Sequence, residues 1–193
     1  LLSKKSKLII NNVNINPSRT GIISILNLMG ASIQLKNKKI YKGERIADIF
    51  IESKKNLKGI NCPIKFNSAA IDEFLLIFLV AAKAKGSSRF LKIQELNAKE
   101  SKRLDLGFKI LKMIGVKTKK IGNHGIQIYG NPHLKLNKDY ILKNYLKDHR
   151  VFMMSVIASM TLGGNWKIHN PDSIKSSFPS FLKMIKKLGG KFN

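Results

Sequence analysis

The stretch LMGASIQL, residues 28–35, contains the pattern on which the fold is built. An apolar helical segment ends at Gly30, and a run of β-favouring residues follows. Glycine adopts the left-handed conformation after a helix at no steric cost, so this pattern predicts a helix C-terminus that leads into a strand. The pattern recurs at LGG 162–164, MIG 113–115 and LGG 188–190, and more loosely at AKG 84–86.

These recurrences divide the chain into alternating helices and strands. Helices are predicted at 20–28, 71–84, 98–114, 150–162 and 178–188. Strands are predicted at 8–15, 32–40, 45–52, 59–65, 89–94, 116–121, 125–129, 138–143 and 165–169, with a last one at 191–192. The alternation predicts an α/β fold with an internally repeated unit.

Two of the predicted helices lack a polar face. Helix 71–84 is apolar nearly all round, and helix 151–162 is similar. Such helices are normally buried on every side. We therefore expect helices inside the domain and sheets outside.

The composition is that of a globular protein. The 193 residues are 44% hydrophobic and 24% charged, which is enough apolar material for a core. The longest apolar run, from Phe74 to Ala82, is too short to cross a bilayer, and no secretion signal is visible. We expect a cytoplasmic protein with no membrane partner. Because the chain opens on Leu1 and soon enters a strand, we also expect a piece of something longer.

The formal net charge of +25 favours anionic ligands. It leaves open a basic nucleic-acid-binding protein, because clustered lysine and arginine release counterions from phosphate backbones. However, only five of the 36 basic residues are arginine, and the lysines form no run longer than two. Isoleucine and asparagine are abundant too, so a compositional bias from an AT-rich genome is the favoured explanation of the lysines.

Signals for metals and nucleotides are missing from the sequence. The single cysteine, Cys62, excludes an internal disulfide framework and is interpreted as a structural thiol. His124, His133 and His169 lack metal-ligand spacing. The chain has neither a Walker loop nor a Gly-x-Gly-x-x-Gly motif. We expect no metal and no cofactor.

Polar residues gather where the predicted helices begin. Helix N-termini carry free N–H groups and the positive end of the dipole, so they bind anions readily. Helix capping alone would also place serine, aspartate and asparagine there. The polar strings are NPSRTG at 16–21, NS at 67–68 with DE at 72–73, NAKESKR at 97–103, KDHR at 147–150 and SSFP at 176–179.

Two arginines do not fit the capping interpretation. Arg103 and Arg150 lie near predicted helix N-termini, where a positive charge opposes the dipole. Guanidinium groups bind carboxylate and phosphate in a bidentate manner, so the pair suggests a shared anion. Lys99 and Arg103 are four residues apart and would share a helix face, with Glu100 nearly on the same side.

Five strings in order carry a resemblance to a known family. The chain closely resembles the C-terminal half of the 5-enolpyruvylshikimate-3-phosphate synthases, or 3-phosphoshikimate 1-carboxyvinyltransferases, from about Leu8 to Phe192. No single string is decisive, but the ordered set is highly specific. The strings are NPSRTG at 16–21, IDE at 71–73, KES-x-R at 99–103, DHR at 148–150 and SFP at 177–179.

The resemblance implies a fold and a reaction. The fold is an inside-out α/β barrel of repeated βαβαββ units, in an enzyme of two such domains. Residues 1–193 would be the C-terminal domain without its first strand and helix, and the N-terminal domain would lie outside the chain. The enzyme transfers the enolpyruvyl group of phosphoenolpyruvate to the 5-hydroxyl of shikimate 3-phosphate and releases phosphate, a step toward aromatic amino acids. It needs no cofactor, and no nucleic acid is expected.

The resemblance also assigns residue roles. Asp72 would be the base that contacts the shikimate ring, and Glu100 an acid/base partner in proton transfer. The substrate-binding residues would be Lys99 for shikimate 3-phosphate, Arg103 and Arg150 for phosphoenolpyruvate, and Asp148 and His149 around that pocket, with Asp72 contacting substrate as well.

Some residues depart from the family pattern. Lys102 stands where the family usually has an acidic residue, and this reversed charge is expected to affect Glu100 or Arg103. Some members carry a phosphoenolpyruvate-binding lysine at the position of Ser176, which leaves Lys175 as the neighbouring candidate. These departures keep a degenerate, non-catalytic remnant open as an alternative. The chain alone is expected to be inactive.

Overall fold

The computed structural model describes residues 1–3, 5–53 and 56–191, and the segment from Lys7 to Glu52 forms one three-stranded sheet. The last strand lies between the other two and is antiparallel to both. The two outer strands are therefore parallel, and a helix connects them. The elements are β1 (Lys7–Asn14), α1 (Gly21–Leu28), β2 (Ser32–Tyr41) and β3 (Glu44–Glu52).

The middle of the chain repeats this arrangement and extends it. Segment 58–61 makes parallel bridges to Lys85 and Arg89, and a sheet of order β4-β6-β5 follows. The last strand again lies between its two predecessors, so 58–130 follows the order of a β-α-β-α-β-β unit whose first strand is reduced to two isolated bridges. Its elements are α2 (Phe74–Lys83), β4 (Gly86–Phe90), α3 (Arg103–Met113), β5 (Thr118–Ile121) and β6 (Gly125–Gly130).

The third part contains the first four elements of such a unit. Strands β7 (Leu136–Leu142) and β8 (Gly163–Ile168) pair in parallel and are joined by α4 (His149–Leu162). Helix α5 (Phe181–Lys187) follows. The β1–β3 part matches the last four elements of the unit, so the predicted internal repeat is confirmed.

Helices α2 and α4 lie in the core. Eight of the ten residues of α2 are buried, and the rings of Phe74, Phe78 and Phe90 pack with centroids 5.4–5.9 Å apart. Helix α3 approaches α2 closely at Gly107, where an added Cβ would lie 3.0 Å from the Leu75 side chain. The expected arrangement, with helices inside and sheets outside, is confirmed.

Several predicted boundaries are wrong. A strand over 59–65 does not form, because within it only Asn61 makes a bridge and Pro63 leads into a 3-10 turn. Helices predicted from 71, 98 and 178 begin at Phe74, Arg103 and Phe181, after shorter turns. The strand predicted over 89–94 lies at 86–90. The strand at 191–192 includes Phe192, which lies outside the described residues.

Across the described ranges, no helix is both long enough and apolar enough to span a membrane. This matches the sequence observation on the run from Phe74 to Ala82.

Candidate active site

The N-terminal ends of the three central helices meet at one place. Asp72 lies just before α2, Arg103 is the first residue of α3, and Arg150 is the second residue of α4. Six of the seven predicted site residues come together here. With Glu73 they form what we call the carboxylate–arginine cluster: Asp72, Glu73, Lys99, Glu100, Arg103, Asp148 and Arg150.

Arg103 lies at the buried end of this cluster. Its side chain is only 1% exposed. Nε donates to Oδ2 of Asp148 at 2.9 Å, Nη1 donates to Oδ1 of Asp72 at 3.2 Å, and Nη2 donates to Glu100. One guanidinium therefore ties together carboxylates that precede α2, α3 and α4. The prediction placed Arg103 on phosphoenolpyruvate, but in this structure all three of its side-chain nitrogens are on carboxylates.

Asp148 caps α4 and holds Arg103 with the same carboxylate. Oδ1 accepts from the backbone N–H groups of Arg150 at 2.9 Å and Val151 at 3.3 Å. Oδ2 accepts from Oγ of Ser101 at 2.7 Å as well as from Arg103. Burial acts to raise the pKa of Asp148, but the hydrogen bonds from Arg103 and Ser101 outweigh it and hold that pKa below its ordinary value. The capping interpretation is therefore correct for this aspartate, which also fixes an arginine.

Arg150 lies at the open end of the cluster. Its side chain is 29% exposed. Nη1 donates to the backbone oxygen of Asp72 at 2.9 Å and to Oε1 of Glu73 at 3.3 Å, and Nη2 lies 3.4 Å from Oδ2 of Asp72. Burial raises the pKa of Glu73, against the opposing effect of the Arg150 charge.

Four cationic side chains surround the Asp72 carboxylate. Its carboxylate lies 3.2 Å from Arg103, 3.4 Å from Arg150, and 3.8 Å from both Lys99 and Arg19. Arg19 comes from the 3-10 turn before α1. Asp72 is therefore the point at which cations from four segments of the chain converge.

The charges of the site balance. The four cations on Asp72 face four carboxylates, those of Asp72, Glu73, Glu100 and Asp148, so the formal sum is 4 − 4 = 0. Thus 4 of the 11 acidic residues of this basic chain gather at one place. A neutral site with an exposed arginine edge can orient an anion but supplies no excess charge to hold several.

Three predicted or suspected residues lie apart from these contacts. In the part of the chain that the structure describes, the His149 imidazole makes no hydrogen bond or ion pair. Lys102 is exposed and makes no ion pair or hydrogen bond with Glu100 or Arg103 among the described residues. Lys175 pairs with Asp172 at 2.8 Å, and both side chains are 75% exposed.

Asparagines of the other polar strings hydrogen-bond to backbone groups. Oδ1 of Asn97 accepts from the first N–H groups of α3, and Oδ1 of Asn16 accepts from Ser18 at 3.0 Å. Asn67 donates instead to the backbone oxygens of Leu91 and Lys92, far along the chain, and its side chain caps no helix. The capping interpretation is therefore correct for Asn16 and Asn97 and wrong for Asn67.

Sequence reasoning misses three contributors. Arg19, Glu73 and Ser101 lie within the strings NPSRTG, IDE and KES-x-R, but the sequence assigns them no role. Glu73 and Ser101 do carry a signal, because each adjoins a predicted site residue. Cys62 is buried, and burial raises its pKa to about 11, which fits a structural thiol. Over the described ranges, no three His, Cys, Asp or Glu residues are grouped so as to hold a metal.

Comparison with known proteins identifies the family. The sequence matches the family EPSP synthase (3-phosphoshikimate 1-carboxyvinyltransferase) over residues 1–185. The chain belongs to the EPSP synthase family. It is 37% identical over 192 residues to the 3-phosphoshikimate 1-carboxyvinyltransferase of Ruthia magnifica subsp. Calyptogena magnifica, covering 100% of this chain and 43% of that protein. The Geobacter metallireducens enzyme of that name is 34% identical, with 99% and 43% covered.

Solved structures agree with this assignment. An EPSP synthase from Acinetobacter baumannii matches with a TM-score of 0.90 and 33% identity, covering 96% of this chain and 42% of that one. The enolpyruvyl transferase NikO from Streptomyces tendae has a TM-score of 0.68 at 14% identity, which shows the shared fold alone. The chain thus spans less than half of the relatives it matches.

Proposed function

We propose that residues 1–193 form the C-terminal domain of a 3-phosphoshikimate 1-carboxyvinyltransferase, a cytoplasmic enzyme of the shikimate pathway. The observation that carries the proposal is the carboxylate–arginine cluster. In it, Arg103 of the KES-x-R string and Arg150 of the DHR string both contact Asp72 of the IDE string. In this proposal the N-terminal domain, together with the first strand and helix of the first repeat, lies outside these 193 residues. Among the alternatives, the family membership favours neither a nucleic-acid-binding protein nor a remnant.

The proposed reaction has two stages. The 5-hydroxyl oxygen of shikimate 3-phosphate bonds to C2 of phosphoenolpyruvate, while its proton is removed and C3 gains a proton. The tetrahedral intermediate then loses a proton from C3 and expels phosphate, which restores the double bond. A base, a proton donor and fixed cations are therefore needed in one place.

The cluster offers the carboxylates for these proton transfers. Asp72 would take the hydroxyl proton, and Glu100 would exchange the proton at C3. Both contact the guanidinium of Arg103, so their separation is set by one rigid plane. Glu100 keeps a 59% exposed side chain, which leaves it accessible to a substrate.

The substrate contacts divide between two cations. Arg150 would hold phosphoenolpyruvate through its exposed edge, and Lys99, with a 27% exposed side chain, would contact shikimate 3-phosphate. Arg103 would act on phosphoenolpyruvate only if a substrate displaced Asp72 or Glu100 from its Nη groups. Asp148 and His149 would border the same pocket.

The charge balance supports the expectation that this chain is inactive by itself. Shikimate 3-phosphate and phosphoenolpyruvate carry two phosphates and two carboxylates between them. A cluster of zero formal charge does not compensate these anions, so further cations must come from the N-terminal domain. Closure of the two domains would bring the two sets of groups together.

Phosphate release tests the proposal. The full-length protein is given shikimate 3-phosphate and phosphoenolpyruvate together and each alone, and release is expected only with both. Residues 1–193 given both substrates should release none above the buffer rate. Enzyme-like release from residues 1–193 alone would contradict the two-domain proposal, and no release from the folded full-length protein would contradict the activity.

A further inference from the structure

Glu73 has a side chain whose position local structure does not explain. It occupies the N-cap of α2, but its carboxylate makes no capping hydrogen bond. N-cap positions favour serine, threonine, aspartate and asparagine, whose shorter side chains reach the helix N–H groups. The Glu73 carboxylate instead contacts Nη1 of Arg150 at 3.3 Å, 77 residues along the chain.

This contact completes the coordination of one nitrogen of Arg150. Nη1 has two hydrogens, and its two acceptors are the backbone oxygen of Asp72 and Oε1 of Glu73. Nη2 lies near Oδ2 of Asp72, whereas Nε donates no hydrogen bond to any described residue. The acceptors thus occupy the end of the guanidinium and leave its Nε side unused.

We propose that Glu73 is a positioning residue that holds Arg150 so that the Nε side of the guanidinium meets phosphoenolpyruvate. This inference rests on the proposed function. An anion that pairs with Nε and Nη2 uses the bidentate geometry that arginine offers to carboxylate and phosphate. Without Glu73, Nη1 loses one of its two acceptors and the side chain samples other rotamers, so part of the binding free energy is spent on ordering it.

Kinetics of the full-length enzyme test this role. In Glu73→Ala, KM for phosphoenolpyruvate should rise about tenfold with kcat nearly unchanged, as expected for a lost ground-state contact. KM for shikimate 3-phosphate should stay within about twofold. Glu73→Gln keeps an acceptor without the charge, so its KM for phosphoenolpyruvate should rise about threefold. Glu95→Ala, which removes an exposed glutamate outside the cluster, is the control and should match the wild type.

A double-mutant cycle separates positioning from general damage. If Glu73 acts through Arg150, Glu73→Gln should have no further effect in an Arg150→Lys background. Additive effects, or equal increases in both KM values, would overturn the proposal.

A measurement without turnover keeps the inference separate from the proposed function. The Arg150 Nε–H signal, assigned by its loss in Arg150→Lys, should be sharp in the wild type and broadened in Glu73→Ala by ¹⁵N NMR. If the signal is sharp in the wild type and broadened in Glu73→Ala but the wild type shows no turnover, the proposed function fails while the Glu73–Arg150 contact stands. An Nε–H signal that is unchanged in Glu73→Ala would overturn the contact itself.

Discussion

Arg103 and Arg150 occupy equivalent places, at the start of a central helix and against the same Asp72 carboxylate, yet their surroundings differ. Arg103 is buried and saturated by carboxylates, with Asp148 and Glu100 completing its partners. Arg150 keeps 29% of its side chain exposed and an unused Nε. The sequence does not distinguish the two arginines. The buried Arg103 links three carboxylates, whereas the exposed edge of Arg150 is available to a ligand.

The difference has an energetic cause. A charge removed from water is stable only when it is paired and hydrogen-bonded, so removing one partner of a buried pair leaves the other uncompensated. Arg103 and Asp148 are such a pair, with side chains 1% and 0% exposed. Arg150 retains water contact, so its loss should affect ligand binding more than folding.

The largest expected effect is that of Arg103→Ala. It should lower the free energy of unfolding of this domain by about 3–5 kcal/mol, because it leaves Asp148 buried without its partner. Hydrogen exchange of α3 and α4 peptides in the full-length protein under urea measures this domain directly. Arg45→Ala, at an exposed arginine, should change it by less than about 0.5 kcal/mol. Equal effects of the two substitutions would contradict a structural role for the buried Arg103.

Arg150→Ala should have the opposite profile. We expect kcat/KM for phosphoenolpyruvate to fall about 100-fold, since charged hydrogen bonds contribute about 1.5–3 kcal/mol. Binding of shikimate 3-phosphate, measured by calorimetry, should change by less than about threefold. An equal loss for both substrates would contradict the assignment of this arginine.

Asp148 and Glu73 should differ in their pH dependence. The pKa of Asp148 is lowered by folding, so its contribution to stability is present above its ordinary pKa of about 3.9 and is lost as pH falls below that value. Asp148→Asn should cost about 2 kcal/mol at pH 7, with the difference shrinking below about pH 4. The pKa of Glu73 is raised by burial, so its ionised form is disfavoured by folding and Glu73→Gln should cost no stability at pH 7.

Urea unfolding at pH 7 and at pH 3.5 measures both variants. If Glu73→Gln is as destabilised at pH 7 as Asp148→Asn, the two carboxylates contribute equally to stability and the predicted difference is wrong.

Ser101→Ala should have a smaller effect. It removes one hydrogen bond to Oδ2 of Asp148 while Arg103 stays, so we expect a loss of about 1 kcal/mol in urea unfolding. Ser180→Ala is the control, because Ser180 is exposed and its side chain makes no capping bond. A Ser101→Ala protein as stable as the control would mean that Arg103 alone satisfies Asp148.

The smallest effect should come from Lys102→Asp, which gives this position the acidic charge expected from the sequence resemblance. Lys102 is exposed, and solvent screens its interaction with the cluster. Stability should change by less than about 0.5 kcal/mol and kcat/KM by less than about threefold. A tenfold gain in kcat/KM would show that the reversed charge does reach Glu100 or Arg103.

The glycine pattern predicted the fold because its physical basis is local. Gly30, Gly115 and Gly163 have φ of +88°, +77° and +92°, so each ends a helix in a conformation that other residues rarely adopt. The strand predicted over 59–65 failed because β-favouring composition does not reveal that only Asn61 in this segment bridges to β4. Pairing depends on the partner strand, which local sequence does not specify.

The sequence predicted which residues lie close together, but not how they are arranged. The strings predicted Asp72, Arg103 and Arg150 at one site, because each lies where a helix begins. That Arg103 would be buried depends on contacts with residues 31 and 45 positions away. The strings do not distinguish Glu73 from its neighbours, whereas its contact with Arg150 of α4 does.

The most direct test is phosphate release by the full-length protein given both substrates, compared for wild type and Arg150→Ala. We predict release that requires both substrates, and recovery of the variant toward the wild-type rate as phosphoenolpyruvate, but not shikimate 3-phosphate, is raised. No release from folded wild-type protein, or a variant that neither substrate rescues, would contradict the account.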